Sequence, residues 1–196
     1  RKKAKLASTK YKRQLDNAAI EAVFLDGRSF NDFEKKGMAK FLKLAIPDYR
    51  VPHRKTIRRR IEMLYKDYRK ELKKQLIHVS DIALSCDVWK SSTRSYYFCI
   101  TGHFYNDQHQ LQSCLLSFRR FLGSHTSLCL RRFLLNELNK LGIQEKITSI
   151  TTDNGKDVRI AASNLGFGTR FSCLCHDLNL TVQNGLWLHN KPKTIR

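Results

Sequence analysis

Up to about residue 77 the apolar positions recur every three or four residues, the spacing that lines one face of an α-helix. Leu15, Ala18, Ala19, Ala22 and Val23 predict a helix over 14–25, broken at Asp26-Gly27. Phe30, Phe33, Gly37, Phe41 and Leu44 predict a second, which stops before Pro47 because the residue preceding a proline disfavours helix. Residues 48–57 (DYRVPHRKTI) read as an extended link around Pro52. Ile57, Ile61, Leu64, Tyr68, Leu72 and Leu76 then form the stripe of one long helix. The basic opening RKKAKLASTKYKR reads as a tail or linker and a candidate nuclear address.

From residue 81 the period changes. IALSCDVW is a short apolar run whose strand closes on Asp87, and SYYFCITGHFY is β-branched and aromatic. Asn106-Asp107 turns the chain into LQSCLLSFRRF, so three strands follow one another as a meander. Leu130, Leu134, Leu138 and Leu141 predict a helix opened in the Ser124–Ser127 region and closed at Gly142. ITSITTDN is a strand ending in an acid, followed by a short helix over 154–165, a strand in RFSCLC, and a last helix from His176 with Leu178, Val182 and Leu186 on its apolar side. The order β-β-β-α-β-α-β-α predicts an α/β fold with a mixed sheet and helices on its faces. That order matches the ribonuclease H-like topology, in which the first and fourth strands are neighbours.

Charge adds a partner. The chain carries 37 Lys and Arg against 17 Asp and Glu, a net +20, and residues 1–80 alone hold 23 basic against 9 acidic residues. A polyanion suits such a surface, since each neutralised phosphate releases a condensed counterion, and nucleic acid leads over acidic membrane. The long helix turns Arg58 and Arg59 away from its apolar stripe, as either a solvated back or a phosphate-contacting one. The apolar runs are too short to span a bilayer. Six cysteines (Cys86, Cys99, Cys114, Cys129, Cys173 and Cys175) lie mostly in apolar runs with no CxxC pair, a pattern of reduced thiols.

Asp87 and Asp153 are the candidates for chemistry. If their strands are parallel neighbours, both carboxylates emerge at one sheet edge. Two carboxylates that close repel unless a cation lies between them, and hard oxygen ligands select Mg²⁺ or Mn²⁺. Metal ions held there stabilise the attacking and leaving oxygens of an in-line phosphoryl displacement. The plainer alternative is that each aspartate caps a turn or helix, as Asp153 ahead of Asn154 would.

The segments CDVWKS, LLSFRRFLGSHT, ITSITTDN and FSCLCHDLNL, in this order and preceded by FLDGRSFNDFEKKGMAKFLKLAIPDYRVPHRKTI, resemble the successive landmarks of the hAT transposase superfamily and the related zinc-finger-BED proteins. The resemblance covers roughly residues 11–190. It implies a basic α-helical region over 1–79 followed by the N-terminal part of an RNase H-like catalytic domain over 80–196. It implies cut-and-paste DNA cleavage and strand transfer, with Asp87 and Asp153 as the first two acids of a metal-binding DDE triad served by Mg²⁺ or Mn²⁺. Cys173 and His176 match the CxxH pair, whose histidine lies by the transposon end, and His125 belongs to the GxHT turn. Trp89 takes the DxW position, where an aromatic supports DNA handling.

Each of these residues also has a plainer role: Trp89 as a rim filler, Cys173 as a small buried hydrophobe, His125 as a turn hydrogen-bonder, His176 as a structural histidine. Arg119 and Arg120 are candidates for phosphate contacts. The resemblance places the third acid, a glutamate, downstream of this chain, and a BED finger upstream. Glu137 and Glu145 are not substitutes. The expectation is an internal piece, inactive alone, of a nuclear protein that binds transposon ends and target DNA and self-associates. The alternative is a domesticated DNA-binding regulator without catalysis.

Overall fold

The computed structural model describes residues 9–186. The chain divides into two compact units, Arg1–Leu72 and Lys73–Arg196. Residues 1–8 of the basic opening lie outside the described residues.

The first unit holds α1 (Thr9–Leu25), α2 (Lys36–Ala45) and most of α3 (Arg54–Ile77). Helix α1 begins inside the stretch read as a tail. Lys12 pairs with Asp16 one turn on at 2.8 Å, and Tyr49 donates to the other oxygen of that carboxylate at 3.1 Å. Gly27 ends the helix in the left-handed region (φ 62°), where Arg28 N–H reaches back to the Val23 carbonyl. A small core of Ile20, Val23 and Ile57 is flanked by Phe33 and Ile61.

The second expected helix is shorter than its apolar stripe. Arg28 and Lys35 both pair with Asp32, at 3.0 and 2.7 Å, in a 3-10 turn over Asp32–Glu34, and α2 starts only after it. With a core this small, α2 buries no residue, and Phe41 and Leu44 remain on the surface. Along α3 the stripe is buried at Ile57, Leu72 and Leu76 but exposed at Leu64 and Tyr68.

The second unit is a five-stranded sheet of β1 (Ile82–Lys90), β2 (Tyr96–Tyr105), β3 (Leu111–Phe121), β4 (Ile147–Thr152) and β5 (Thr169–Ser172), in the order β3-β2-β1-β4-β5. The meander pairs antiparallel, and β4 lies parallel to both β1 and β5. This is the mixed sheet that the element order predicts. β1 does not close on Asp87: it runs to Lys90, because β2 goes on pairing with it as far as Tyr96 after β4 has ended at Thr152.

Period-2 alternation gives the sheet two unlike faces. Leu84, Cys86, Phe98, Ile100 and Ile150 are buried on one. Helix α4 (Ser127–Leu141) covers them, with the Phe133 ring tilted against Phe98 at 5.0 Å and edge-on to Phe121. Thr126 caps α4 by accepting from Cys129 N–H, and Gly142 ends it at φ 70°. Its predicted stripe Leu130, Leu134, Leu138 and Leu141 is buried. Helix α5 (Lys156–Ser163) packs beside α4. The alternate residues Ser85, Cys99, Thr101 and Thr151 stay half-buried on the open face.

Helix α6 (Leu174–Gly185) departs from expectation in two ways. It begins before His176, since β5 stops at Ser172 and Cys173 N–H turns to the Thr152 carbonyl at 2.8 Å. Its expected apolar side, Leu178, Val182 and Leu186, is exposed. Asn154 and Ser172 donate to the Asp177 carboxylate and tie the start of this helix to the sheet.

Candidate metal and nucleic-acid site

Ser85 pairs with Thr151 across the parallel β1–β4 ladder, and Cys86 with Thr152. The next residue on each chain is an aspartate. The register therefore carries Asp87 and Asp153, the latter one residue past the end of β4, to the same level, and alternation puts Asp87 on the open face. Their side chains line one cavity of about 370 Å³, which Cys173 and His176 also line from the start of α6. Ser85, Cys99, Thr101 and Thr151 are among the other residues of its wall. A larger cavity of about 540 Å³ lies in the helical unit between Phe24, Met63 and Leu64, and none of the predicted site residues lines it.

The loop carrying Asp153 is tied down on three sides. Asp153 Oδ1 accepts from Gly155 N–H at 3.1 Å, ahead of α5. The Arg170 guanidinium on β5 donates to the Asp153 carbonyl and to Asn154 Oδ1, both at 2.8 Å. Asn154 and Ser172 donate in turn to the two oxygens of Asp177 on α6. Arg170 and Asp177 escaped the sequence reading because each is a single charged residue in a short element. Their role depends on β5 and α6 meeting the β4 loop in space, which no local spacing encodes.

Cys86 also lines this cavity; its thiol is buried, and that burial, with the neighbouring Cys99 and Asp87, pushes its pKa up to about 12. A pKa this high favours the thiol over the nucleophilic thiolate. All six cysteines are free.

The other predicted residues lie outside this cavity. Trp89 sits further along β1 on the open face, 36% exposed, with Tyr97 and Phe118 at ring separations of 5.8 and 5.6 Å. Arg120, two residues on from Phe118, is exposed and shares its face. Arg119 points the other way, to the helix-covered face, where its Nε lies 3.2 Å from Glu137. Glu137 is buried on α4, away from the cavity. The His125 ring lies tilted against Tyr96 with centroids 4.5 Å apart and 4.0 Å from Asp157 on α5, so these two contacts hold the GSHT turn. Arg58 pairs with Glu62 on exposed α3, and Arg59 beside it is exposed; both belong to the helical unit.

Among the described residues no three His, Cys, Asp or Glu side chains gather closely enough to hold a metal ion. Two carboxylates in one cavity still suit Mg²⁺, which dehydrates reluctantly and binds through one or two carboxylates while keeping several waters. Asp87 is exposed, and Asp153 Oδ1 accepts from Gly155 N–H, so the donor set fits an open, partly hydrated ion.

Comparison with known proteins adds an independent line. The ZBED1 RNase-like domain matches residues 85–170, a span that contains both aspartates. A putative AC transposase of Zea mays is 28% identical over 180 residues, covering 84% of this chain and 22% of the relative. Zinc finger BED domain-containing protein 6 of Mus musculus is 26% identical over 198 residues, covering 93% of this chain and 20% of the relative. A putative transcriptional regulator tpeD of Talaromyces stipitatus is 31% identical over 104 residues, covering 53% and 12%. The chain thus spans about a fifth of the length of the transposase and BED relatives.

Proposed function

The chain is a transposase-like polypeptide of hAT/ZBED type, and from that premise we propose that its open sheet face carries two ligands of a divalent-metal site for DNA phosphoryl transfer. The observation that carries this reading is the level placement of Asp87 on β1 and Asp153 one residue past the end of the neighbouring parallel β4, both lining one cavity. Asp87 and Asp153 hold Mg²⁺ or Mn²⁺ through carboxylate oxygens. The ion, when bound, supplies Lewis acidity toward a phosphodiester oxygen and a more acidic water. His176 contributes an imidazole at the cavity rim, where a nucleotide beside the scissile phosphate would lie. Trp89, Tyr97 and Phe118 offer aromatic faces on the same side of the sheet, and Arg120 adds a cation beside them.

The basic surface of the chain supplies sequence-independent affinity for the DNA backbone. Arg58 and Arg59 contact phosphates from α3. We place the protein in the nucleus and expect it to self-associate; sedimentation reads the second point. No described helix is long and apolar enough to cross a membrane.

The test is a Mn²⁺ titration of the chain, followed by loss of the free-ion paramagnetic resonance signal. Wild type is expected to bind, with Asp87→Asn and Asp153→Asn each weakening affinity about tenfold or more. Equal binding by all three proteins would falsify the metal site. A second reading is favoured by the regulator among the relatives and by the +20 charge: a DNA-binding protein without catalysis. It predicts salt-sensitive DNA binding that neither aspartate substitution nor Mn²⁺ affects.

A further inference from the structure

His103 on β2 uses both ring nitrogens on the open face of the sheet. Its Nε2 lies 2.8 Å from Ser85 Oγ on β1, and its Nδ1 lies 2.8 Å from Ser113 Oγ on β3. The bonded chain Ser113–His103–Ser85 thus crosses three strands. Its inner end, Ser85, is two residues before Asp87 on the same face and lines the same cavity as Asp87 and Asp153.

We propose that Ser85, oriented by His103, is a further hydrogen-bonding group of this cavity, accepting from the water shell of a divalent ion held by Asp87. The inference rests on the metal-site reading above and adds residues that reading does not use. A neutral imidazole has one N–H and one lone pair, and a hydroxyl can meet either. Two arrangements of the chain are therefore allowed. In one, His103 donates from Nε2 to Ser85, and the Ser85 hydrogen turns elsewhere. In the other, Ser85 donates to Nε2, His103 donates from Nδ1 to Ser113, and both Ser85 lone pairs stay open to the cavity. Water on a divalent cation is a strong donor and needs an acceptor, so ion binding favours the second arrangement, which offers two open lone pairs and turns no Ser85 hydrogen toward the ion's water. Partners of this kind orient the inner ligands, and their loss weakens metal affinity. Ser85 and His103 act as positioning residues.

The experiment uses the intact chain with Mn²⁺ for affinity and Mg²⁺ for the imidazole tautomer. Ser85→Ala and His103→Ala are expected to weaken Mn²⁺ binding about tenfold. Ser85→Thr, which keeps the hydroxyl, and His103→Gln, which keeps a donor and an acceptor, are expected to recover most of it. Long-range ¹H–¹⁵N spectra of His103 are expected to move toward the Nδ1–H form as Mg²⁺ is added to wild type, and not in Asp87→Asn. If Ser85→Ala and His103→Ala bind Mn²⁺ as wild type does while Asp87→Asn does not, the chain is a cross-strand brace and this inference fails alone. If Asp87→Asn also binds as wild type does, the metal site itself fails. Should His103→Ala not fold, Ser85→Ala and the tautomer spectra decide the question.

Discussion

Arg119 Nε lies 3.2 Å from Glu137 Oε2, on a carboxylate that is only 1% exposed. Ser117 donates to the same oxygen at 2.8 Å, and Lys140 to the other at 2.6 Å. Burial alone pushes the Glu137 carboxyl up. The bonds from Lys140 and Ser117 and the Arg119 charge outweigh it and hold the group below the usual glutamate range.

A folded-state pKa below the unfolded one makes this network stabilising above the ordinary value of 4.5, and the contribution fades as pH falls through the lowered folded value. Glu137→Gln is expected to lower the unfolding free energy by about 1–3 kcal/mol at pH 7. The gap from wild type narrows as pH drops below 4.5. Urea denaturation at several pH values reads both quantities, and a gap that stays constant down to the acid limit removes the charge from the account.

Gly102 is required by its neighbour. The β2–β3 register shifts between Ile100 and Thr101, leaving Leu116 as the extra residue of the bulge, and a Cβ on Gly102 would stand 2.9 Å from Leu116 Cδ1. Leu116 is itself 2% exposed and has little room to retreat. Gly102→Ala is expected to cost about 1–3 kcal/mol by overpacking. Added to Leu116→Ala it should cost much less, because the clash is already gone. Additive losses in that double-mutant cycle would contradict the steric account.

The sheet was legible because its signals are local. β-branched and aromatic runs mark β1 to β3, and the four leucines of α4 mark the covering helix. That Asp87 and Asp153 line one cavity follows from strand order. Burial in the helical unit was not legible. Helical spacing shows that Phe41 and Leu44 share a face but not whether anything covers it, and the core of Ile20, Val23 and Ile57 is too small to do so. The same limit applies to Leu178 and Val182. Polar cross-links such as Ser85–His103–Ser113 and Arg170–Asn154–Asp177 join residues far apart in sequence through one bond each, and such bonds leave no periodic trace.

Asp177 is the joint between α6 and the loop that carries Asp153. Its two oxygens take hydrogen bonds from Asn154 and Ser172, and Asn154 in turn accepts from Arg170. Asp177→Ala leaves these donors without their acceptor and is expected to cost about 1–3 kcal/mol locally. Opening of the loop then becomes about tenfold more frequent or more, seen as faster amide exchange at Gly155 and Cys173 with little change in the α4 amides. Uniform acceleration across the sheet would mean that Asp177 supports global stability instead of this loop.

Phosphate contacts and base stacking separate in their dependence on salt. Arg58 and Arg59 lie on an exposed stretch of α3, and Arg58 shares its guanidinium with Glu62 at 2.9 Å. Releasing it to a phosphate therefore forfeits an exposed ion pair worth about 0.3–0.5 kcal/mol, small beside the counterions released. Each arginine that meets a phosphate of duplex DNA should contribute about 0.9 to the slope of log affinity against log salt. Arg59→Ala is expected to flatten the slope by about that amount, and Arg58→Ala by somewhat less. Trp89→Ala should instead weaken single-stranded DNA by about 1–3 kcal/mol with an unchanged slope, since stacking carries no counterions. Fluorescence anisotropy across a salt series measures both. If Arg59→Ala shifts affinity equally at every salt concentration, or not at all, α3 does not touch the backbone, and the basic face of that helix serves solvation.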